Sequence, residues 1–389
     1  SFGLAQGFDE YVDRLDTSGS SHSFAELQRP GAAVAGDAAA WVKEAVQADT
    51  PFFLWLHLYD PHTPYAPPKA FADRFPGRPY NGEVAAADWA VGYLLEHLPD
   101  TFLDHGIIIA TADHGESLGD HGEPEHGIFL YDATLKVPLI IAGAGLPAGA
   151  VVSEQVRHVD LLPTLLDLIG GTVPDGLDGE SVTALARGES RRDVPSSYAE
   201  SWFQRLHFGW SELRAVRTGE WKYIEAPRPE LYNLRTDAGE RKSVVGERAR
   251  LVGRLAEEVR VLASADATVA AERQIDAATA ERLRSLGYIG GSGGTIGGAE
   301  GSDPKDRIDE YVDFVARFYR ALDRLQAGDA GAALRGFQQL ARRYPQSFEP
   351  HQYVGRALAS LRRHREALAE YEVAIGLSPQ SAAIYFDAA

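Results

Sequence analysis

Gly106-Ile-Ile-Ile-Ala-Thr-Ala-Asp-His-Gly-Glu-Ser-Leu-Gly-Asp-His-Gly122 decides how this chain is read. It opens as a short, continuously apolar run, the pattern of a strand buried on both faces. The run ends directly on an acid and a histidine. Two further runs are of the same kind, Pro51-Phe-Phe-Leu-Trp-Leu-His-Leu58 and Val137-Pro-Leu-Ile-Ile-Ala-Gly143. Around them lie stretches with apolar residues at helical spacing: Ala32 to Ala48, closed by Pro51, then Val84 to Leu98 and Leu161 to Ile169. Apolar strands alternating with helices predict an α/β fold with a mostly parallel sheet covered on both faces, ending near residue 190. Beyond it the pattern changes. Leu213-Arg-Ala-Val-Arg217 and Trp221-Lys-Tyr-Ile224, joined by Thr218-Gly-Glu220, read as a hairpin. Two charged helices are predicted over roughly 246–263 and 269–286, followed by a Gly-rich linker.

Composition narrows the function classes. The 389 residues carry a formal net charge of −18, and the residues from 305 onward contribute +1 of it, so the acidity belongs to the part before them. An acidic surface repels phosphate backbones, which argues against nucleic acid as a partner. No apolar run approaches the roughly 18 residues of a membrane span. The absence of cysteine excludes disulfides, thiolate metal sites and a cysteine nucleophile within these residues.

The chemistry is concentrated between residues 111 and 127. An acid followed by His-Gly occurs there three times, at Asp113-His114-Gly115, Asp120-His121-Gly122 and Glu125-His126-Gly127, where residue frequencies predict about 0.2 such triplets in the whole chain. Open α/β sheets bind ligands at the carboxyl ends of their strands. A carboxylate and an imidazole leaving a strand end together suit one divalent cation, with Gly115 freeing the backbone to turn away. The alternative is that Asp113 caps the next element while His114 hydrogen-bonds in a loop. His121 suits a place behind the first ligands as well as direct contact. A second cluster, Leu58-Tyr-Asp-Pro-His-Thr-Pro-Tyr-Ala-Pro-Pro68, also begins where an apolar run ends. Its prolines hold His62 with little entropy left to lose, for hydrogen bonding to an anionic oxygen or for proton transfer. Asp60 either orients His62 or caps the turn. His57, on the face of Phe53 and Trp55, reads as a packed core histidine.

These motifs resemble the sulfatase family. Asp60-Pro-His-Thr-Pro-Tyr65, Ala112-Asp-His-Gly-Glu-Ser-Leu-Gly-Asp-His-Gly122, Leu130-Tyr-Asp-Ala-Thr-Leu-Lys-Val-Pro-Leu139, His158-Val-Asp-Leu-Leu-Pro-Thr164, Asp178-Gly-Glu-Ser181, and Trp221-Lys-Tyr-Ile224 with Glu230-Leu-Tyr-Asn-Leu234 occur in the family's order over about residues 1–245. The resemblance implies an alkaline-phosphatase-like sandwich with a small α+β C-terminal subdomain. It implies metal-dependent hydrolysis of a sulfate ester, on a small molecule or a glycan. Asp113 and His114 match metal ligands, and His62 matches the histidine on the sulfuryl group. His126 falls where relatives place a lysine that binds the anion or aids the leaving group. The Asp-His pair is similar to the branch with phosphonate monoester hydrolases and phosphoglycerol transferases, so phosphonate or phosphodiester hydrolysis is the second reading, and an inactive scaffold the third. Oxygen ligands favour Ca2+, while the histidine leaves Mn2+ or Zn2+ open.

The family's nucleophile, a formylglycine made from Cys or Ser or an unmodified Ser or Thr, and its first acidic metal pair precede the region where this sequence begins. Ser1 is therefore expected to be an internal start, with the first part of the catalytic domain upstream and this polypeptide inactive by itself. The resemblance also implies export in bacteria, to periplasm, membrane surface or medium.

The last segment carries a repeat. Ala333-Leu334, Phe337, Pro345 and Ser347 recur as Ala367-Leu368, Tyr371, Pro379 and Ser381, every one offset by 34 residues. That period resembles the tetratricopeptide repeat, and implies all-α helix pairs with a concave face for a protein or peptide partner. An ordinary helical hairpin is the alternative. The expected domains are 1–190 for the α/β part, 191–286 for the subdomain, 287–304 for the linker and 305–389 for the repeats, which are expected to be cut short at residue 389.

Overall fold

The computed structural model describes residues 5–13, 29–48, 50–143, 145–191, 193–272, 301–379 and 381–389. The predicted helix over 269–286 lies outside them from residue 273, as does the Gly-rich linker up to residue 300. The chain divides into two compact units, one of Phe8–Ile109 with Ile141–Ala144, the other of the remaining residues.

In the smaller unit, α1 (Gly31–Gln47) and α3 (Pro79–Leu95) pack against each other, with α2 (Lys69–Ala72) and α4 (Phe102–His105) as short turns. The buried stripe of α1 is Ala35, Ala38, Ala39 and Val42, small residues that let neighbouring chain come close. Phe52, Leu54 and Leu56 fill the space beside Ala38, Ala39, Val42 and Leu94. The segment 51–58 is the first correction. It is extended, but among the described residues it has no ladder partner, and only alternate residues are covered. Phe53 and Trp55 are 64% and 60% exposed, and His57 is exposed beside Trp55 instead of packed in a core. Continuous apolarity does not say whether both faces of a run find cover; here only the even-numbered residues do.

β1 (Ile107–Thr111) and β2 (Leu139–Gly143) form a two-stranded sheet, close to the predicted runs. Gly143 allows its backbone to approach closely, since a Cβ there would lie 2.3 Å from the Gly106 carbonyl oxygen. Between them comes α5 (Asp132–Leu135), and after them α6 (Leu161–Leu168) and α7 (Thr183–Ala186).

Among the described residues the mostly parallel sheet expected before residue 190 is represented by the pair β1–β2 alone, and the larger sheet lies beyond it, in the subdomain. β3 (Ser197–Ser201), β4 (Leu213–Arg217), β5 (Trp221–Glu225) and β6 (Glu230–Asn233) lie in sequence order and are antiparallel throughout. Short connections cannot carry the crossover that parallel neighbours need. The predicted hairpin is β4–β5, with Arg214 opposite Glu225 and Arg217 opposite Lys222. Successive residues serve opposite faces. Leu213, Ala215, Ile224 and Tyr232 pack on Ile128–Tyr131, while Val216, Tyr223 and Leu231 pack on Leu255 and Val259 of α9 (Ala249–Glu272). The helix α8 (Phe203–Phe208) links β3 to β4.

The C-terminal helices are α10 (Ile308–Gln326), α11 (Ala330–Arg343), α12 (Phe348–Ser360), α13 (His364–Leu377) and α14 (Ala382–Ala388), each packed on the next. The starts of α11 and α13, and of α12 and α14, are again separated by 34 residues. Ala333 and Phe337 share one apolar core with their counterparts Ala367 and Tyr371. Leu334 is buried but Leu368 is half exposed.

Candidate active site

Asp113 and His114 emerge from the carboxyl end of β1, both exposed. The His114 amide donates to Asp113 Oδ1 at 2.9 Å, which folds the carboxylate back over its neighbour. His114 Nδ1 lies 2.9 Å from the Gly115 carbonyl oxygen, so it carries the proton and donates. That leaves Nε2 with a free lone pair, 3.8 Å from Asp113 Oδ2. The strand end is held from two sides: Thr111 Oγ1 donates to the Pro138 carbonyl at 2.9 Å, and His158 Nε2 reaches the Ala112 carbonyl at 2.9 Å. Gly115 serves a purpose other than the free turn predicted for it. Its amide donates to the Thr134 carbonyl at 2.7 Å, and a Cβ would lie 2.3 Å from the Ala133 oxygen. Close approach to α5, not a special φ, requires glycine there.

His126 joins this pair. Its ring lies 4.1 Å from that of His114, and its Nδ1 is 3.1 Å from Glu116 Oε1. Burial pulls the His126 pKa down, but the Glu116 hydrogen bond and the charges of Glu116, Glu125 and Glu123 outweigh it and leave it above the ordinary imidazole value. His121 has other partners. It adopts φ +52°, stacks on Tyr131 at 3.5 Å and places Nε2 2.9 Å from the Glu240 carbonyl.

The loop between these histidines is closed on a carboxylate that sequence reasoning missed. Glu123, fully buried, accepts from the Ile128 amide at 2.7 Å and the Phe129 amide at 3.3 Å, and from Ser117 Oγ at 3.1 Å. Burial pushes its pKa up to about 7 against those hydrogen bonds and the charge of His126. A second unforeseen group is Lys222, whose fully buried ammonium lies 2.5 Å from Asp132 Oδ1 and 2.8 Å from Glu240 Oε1. Asp132 also takes Arg217 Nη2 at 2.9 Å. Burial alone would raise the Asp132 pKa, but Arg217 and Lys222 hold it below the ordinary value. A lysine inside a strand-like Trp-Lys-Tyr run was the only signal in the sequence. Asp160 is likewise buried, gripping Arg157 and the Glu180 amide at 3.0 Å, so the His158 and Asp178 motifs brace one another.

In the smaller unit the Pro-rich loop hangs on Glu83, also unforeseen and 4% exposed. Its carboxylate accepts from the His62 amide at 3.0 Å and the Ala66 amide at 2.6 Å. Burial raises its pKa against those two hydrogen bonds. His62 Nδ1 donates to the Thr63 carbonyl at 2.7 Å and its ring lies 4.4 Å from Tyr59. Asp60 accepts from the Gly31 amide at 3.2 Å, a carboxylate at the N-terminus of α1. The structure thus brings Asp113, His114 and His126 together in one unit, and sets Asp60 and His62 in one rigid loop of the other. Among the described residues no three His, Asp or Glu side chains form a group that would hold a metal by itself. Asp113 and His114 fit as two donors of the roughly four to eight that such a cation takes.

No helix among the described residues is long and apolar enough to cross a membrane. Comparison with known proteins agrees with the motifs. Residues 3–171 match the Sulfatase family model, and residues 119–264 match that of the N-sulphoglucosamine sulphohydrolase C-terminal region. Arylsulfatase K of Xenopus laevis is 28% identical over 179 residues, covering 43% of this chain and 33% of its own length. The Delta 4,5-hexuronate-2-O-sulfatase of Bacteroides thetaiotaomicron is 32% identical over 146 residues, covering 36% and 30%. The chain thus spans about a third of the length of these curated relatives. Among solved structures, Ps i-CgsB superposes with TM-score 0.52 at 26% identity over 60% of this chain and 54% of that one. The fold of yidJ from Bacteroides fragilis is similar, with TM-score 0.53 at 18% identity over 61% and 58%. With two overlapping family models and the quoted motifs in agreement, residues 3–264 match a sulfatase-family domain.

Proposed function

We propose that the full-length protein hydrolyses a sulfate ester with the help of a divalent cation. The observation that carries this reading is the strand-end cluster: the Asp113 carboxylate, the Nε2 lone pair of His114 at 3.8 Å, and the His126 ring 4.1 Å from that of His114. Asp113 and His114 would hold the cation, which supplies charge neutralisation at the ester's anionic oxygens when bound. His126, whose pKa Glu116 holds above the ordinary imidazole value, is suited to hydrogen-bond the anion or to give a proton to the leaving oxygen. His62 Nδ1 donates to the Thr63 carbonyl, which fixes the ring's orientation, and by resemblance this histidine would contact the sulfuryl group. A formylglycine nucleophile, and Ca2+ in preference to Mn2+ or Zn2+, remain part of the proposal by resemblance. A glycan substrate is supported by a relative, Ps i-CgsB, whose structure was solved with k-i-k-neocarrahexaose.

The test is an assay of the full-length protein on aryl sulfate, sulfated glycan, phosphate diester and phosphonate esters, with and without chelator. Chelator-sensitive sulfate release supports the reading, and His62→Ala should lower turnover at least about a hundredfold. Near-normal turnover would remove His62 from the mechanism. A preference for phosphonate or phosphodiester would favour the second reading, which the histidine at 114 supports, and no turnover on any ester would favour the scaffold. We also propose that residues 305–389 are tetratricopeptide-type repeats that bind a protein or peptide, on the strength of the 34-residue recurrence of their helices. A partner captured equally well by a chain ending at residue 304 would overturn that assignment.

A further inference from the structure

The C-terminal helices reach into the core beneath the candidate site. Tyr311 of α10 is 4% exposed and belongs to the same apolar cluster as Ile128, Phe129, Leu130 and Tyr131, the run that follows His126. Ile308, one turn earlier, packs on that cluster and lies 3.5 Å from where a Cβ on Gly122 would be. Just before α10, Lys305 Nζ is 3.2 Å from Glu230 Oε2. Glu230 in turn accepts from the Tyr131 hydroxyl at 3.2 Å and the Tyr232 hydroxyl at 2.6 Å. The Tyr131 ring carries His121, stacked at 3.5 Å and 12°. A continuous chain of contacts thus runs from Lys305 through Glu230 and Tyr131 to His121. Burial, and after it the charges of Glu125 and Glu123, push the Tyr311 pKa up.

A second, separate attachment exists. Phe208 of α8 meets Phe314 at 5.2 Å and Tyr344 at 5.6 Å, Ser347 Oγ donates to the His207 carbonyl at 2.6 Å, and His207 Nδ1 lies 2.8 Å from Glu349. Docking of the helices therefore does not depend on Tyr311 or Lys305 alone; Tyr311 also meets the Phe203 and Phe208 rings at 6.2 and 6.0 Å, and Lys305 reaches the site loop through Glu230.

We propose that Tyr311 and Lys305 are positioning residues for the loop 117–131. Tyr311 props Ile128–Tyr131 from beneath, and Lys305 fixes the Glu230–Tyr131 pair on which His121 rests. The C-terminal helices are then one wall of the site and not a tethered appendage. This deepens the reading of that loop as part of the active site, on which its functional meaning rests, while the claim about the loop's order stands by itself.

The experiment is amide hydrogen exchange on the full chain, comparing wild type with Tyr311→Leu, Tyr311→Phe and Lys305→Gln. The expected result is exchange about tenfold faster in residues 117–131 of Tyr311→Leu and Lys305→Gln, with protection of β4 and β5 unchanged. Tyr311→Phe, which keeps the ring, should restore most of the protection. Wild-type protection of the loop in both variants would overturn the proposal. Equal loss in loop and sheet would overturn it too, because it would show general destabilisation. If the full-length protein hydrolyses no ester, the functional reading fails while the exchange result still decides this one.

Discussion

Replacing Lys222 by Met tests the interior of this fold most sharply. The ammonium is fully buried between Asp132 at 2.5 Å and Glu240 at 2.8 Å, and it also donates to the Leu130 carbonyl at 3.2 Å. Removing one partner of a buried pair costs about 3–5 kcal/mol, because the other charge stays buried without compensation. Here the penalty falls unevenly. Asp132 keeps the Arg217 guanidinium at 2.9 Å, whereas Glu240, 2% exposed, keeps among the described residues only the Asp132 amide at 2.5 Å on its carboxylate. We therefore expect the lower end, about 3 kcal/mol at pH 8. Burial already raises the Glu240 pKa against the opposing pull of Lys222, so in the variant Glu240 takes up a proton readily and the loss shrinks toward pH 5. Urea unfolding followed by tryptophan fluorescence, with Trp221 next to the substituted position, reads the loss. Adding Glu240→Gln to Lys222→Met should recover at least about 1 kcal/mol relative to the sum of the single changes. A loss under about 1 kcal/mol at pH 8, or strict additivity, would refute the reasoning.

Glu123 gives a dependence of known sign. Its folded pKa of about 7 stands above the unfolded carboxylate value, so the folded chain holds a proton that the unfolded chain releases. Its stabilising share is complete below the unfolded value and is lost as pH rises through 7, by about 3 kcal/mol. Glu123→Gln should flatten that part of the stability profile, and an unchanged slope between pH 5 and 8 would count against it. Glu83→Ala leaves the amides of His62 and Ala66 unsatisfied and should cost about 1–3 kcal/mol in thermal or urea unfolding. Faster proteolysis near His62 should accompany it, and wild-type resistance there would show that the prolines suffice. Gly115→Ala sets a Cβ 2.3 Å from the Ala133 oxygen and should destabilise by about 1–3 kcal/mol, read as a lowered midpoint in urea. An unchanged midpoint would mean that α5 yields at no cost.

Much of the layout is legible in the chain because it follows from local pattern. The helix α1 lies where Trp41, Val42 and Val46 have helical spacing, and the hairpin β4–β5 where Thr218-Gly-Glu220 separates two strand-like runs. The same holds for the strand end that presents Asp113 and His114. Where the reading failed, cover was at issue. Residues 51–58 look buried on both faces, yet Phe53 and Trp55, beside the Phe8 ring, stay more than half exposed, and His57 is exposed as well. Apolarity states what a side chain would gain from burial, not whether a neighbour is present to provide it.

The sequence by itself determined the family, through motifs whose order and spacing survive without coordinates, and with it the strand-end acid and histidine. Only the tertiary structure decided which histidines meet, placing His126 on His114 and sending His121 to Tyr131 and Glu240. It alone disclosed the buried side chains of Glu123, Lys222 and Glu83, and the packing of Tyr311 on Ile128–Tyr131. The reason is physical: periodicity records which face of an element is apolar, whereas pairing of a buried charge depends on groups far apart along the chain, such as Lys222 and Asp132. No local pattern encodes that distance.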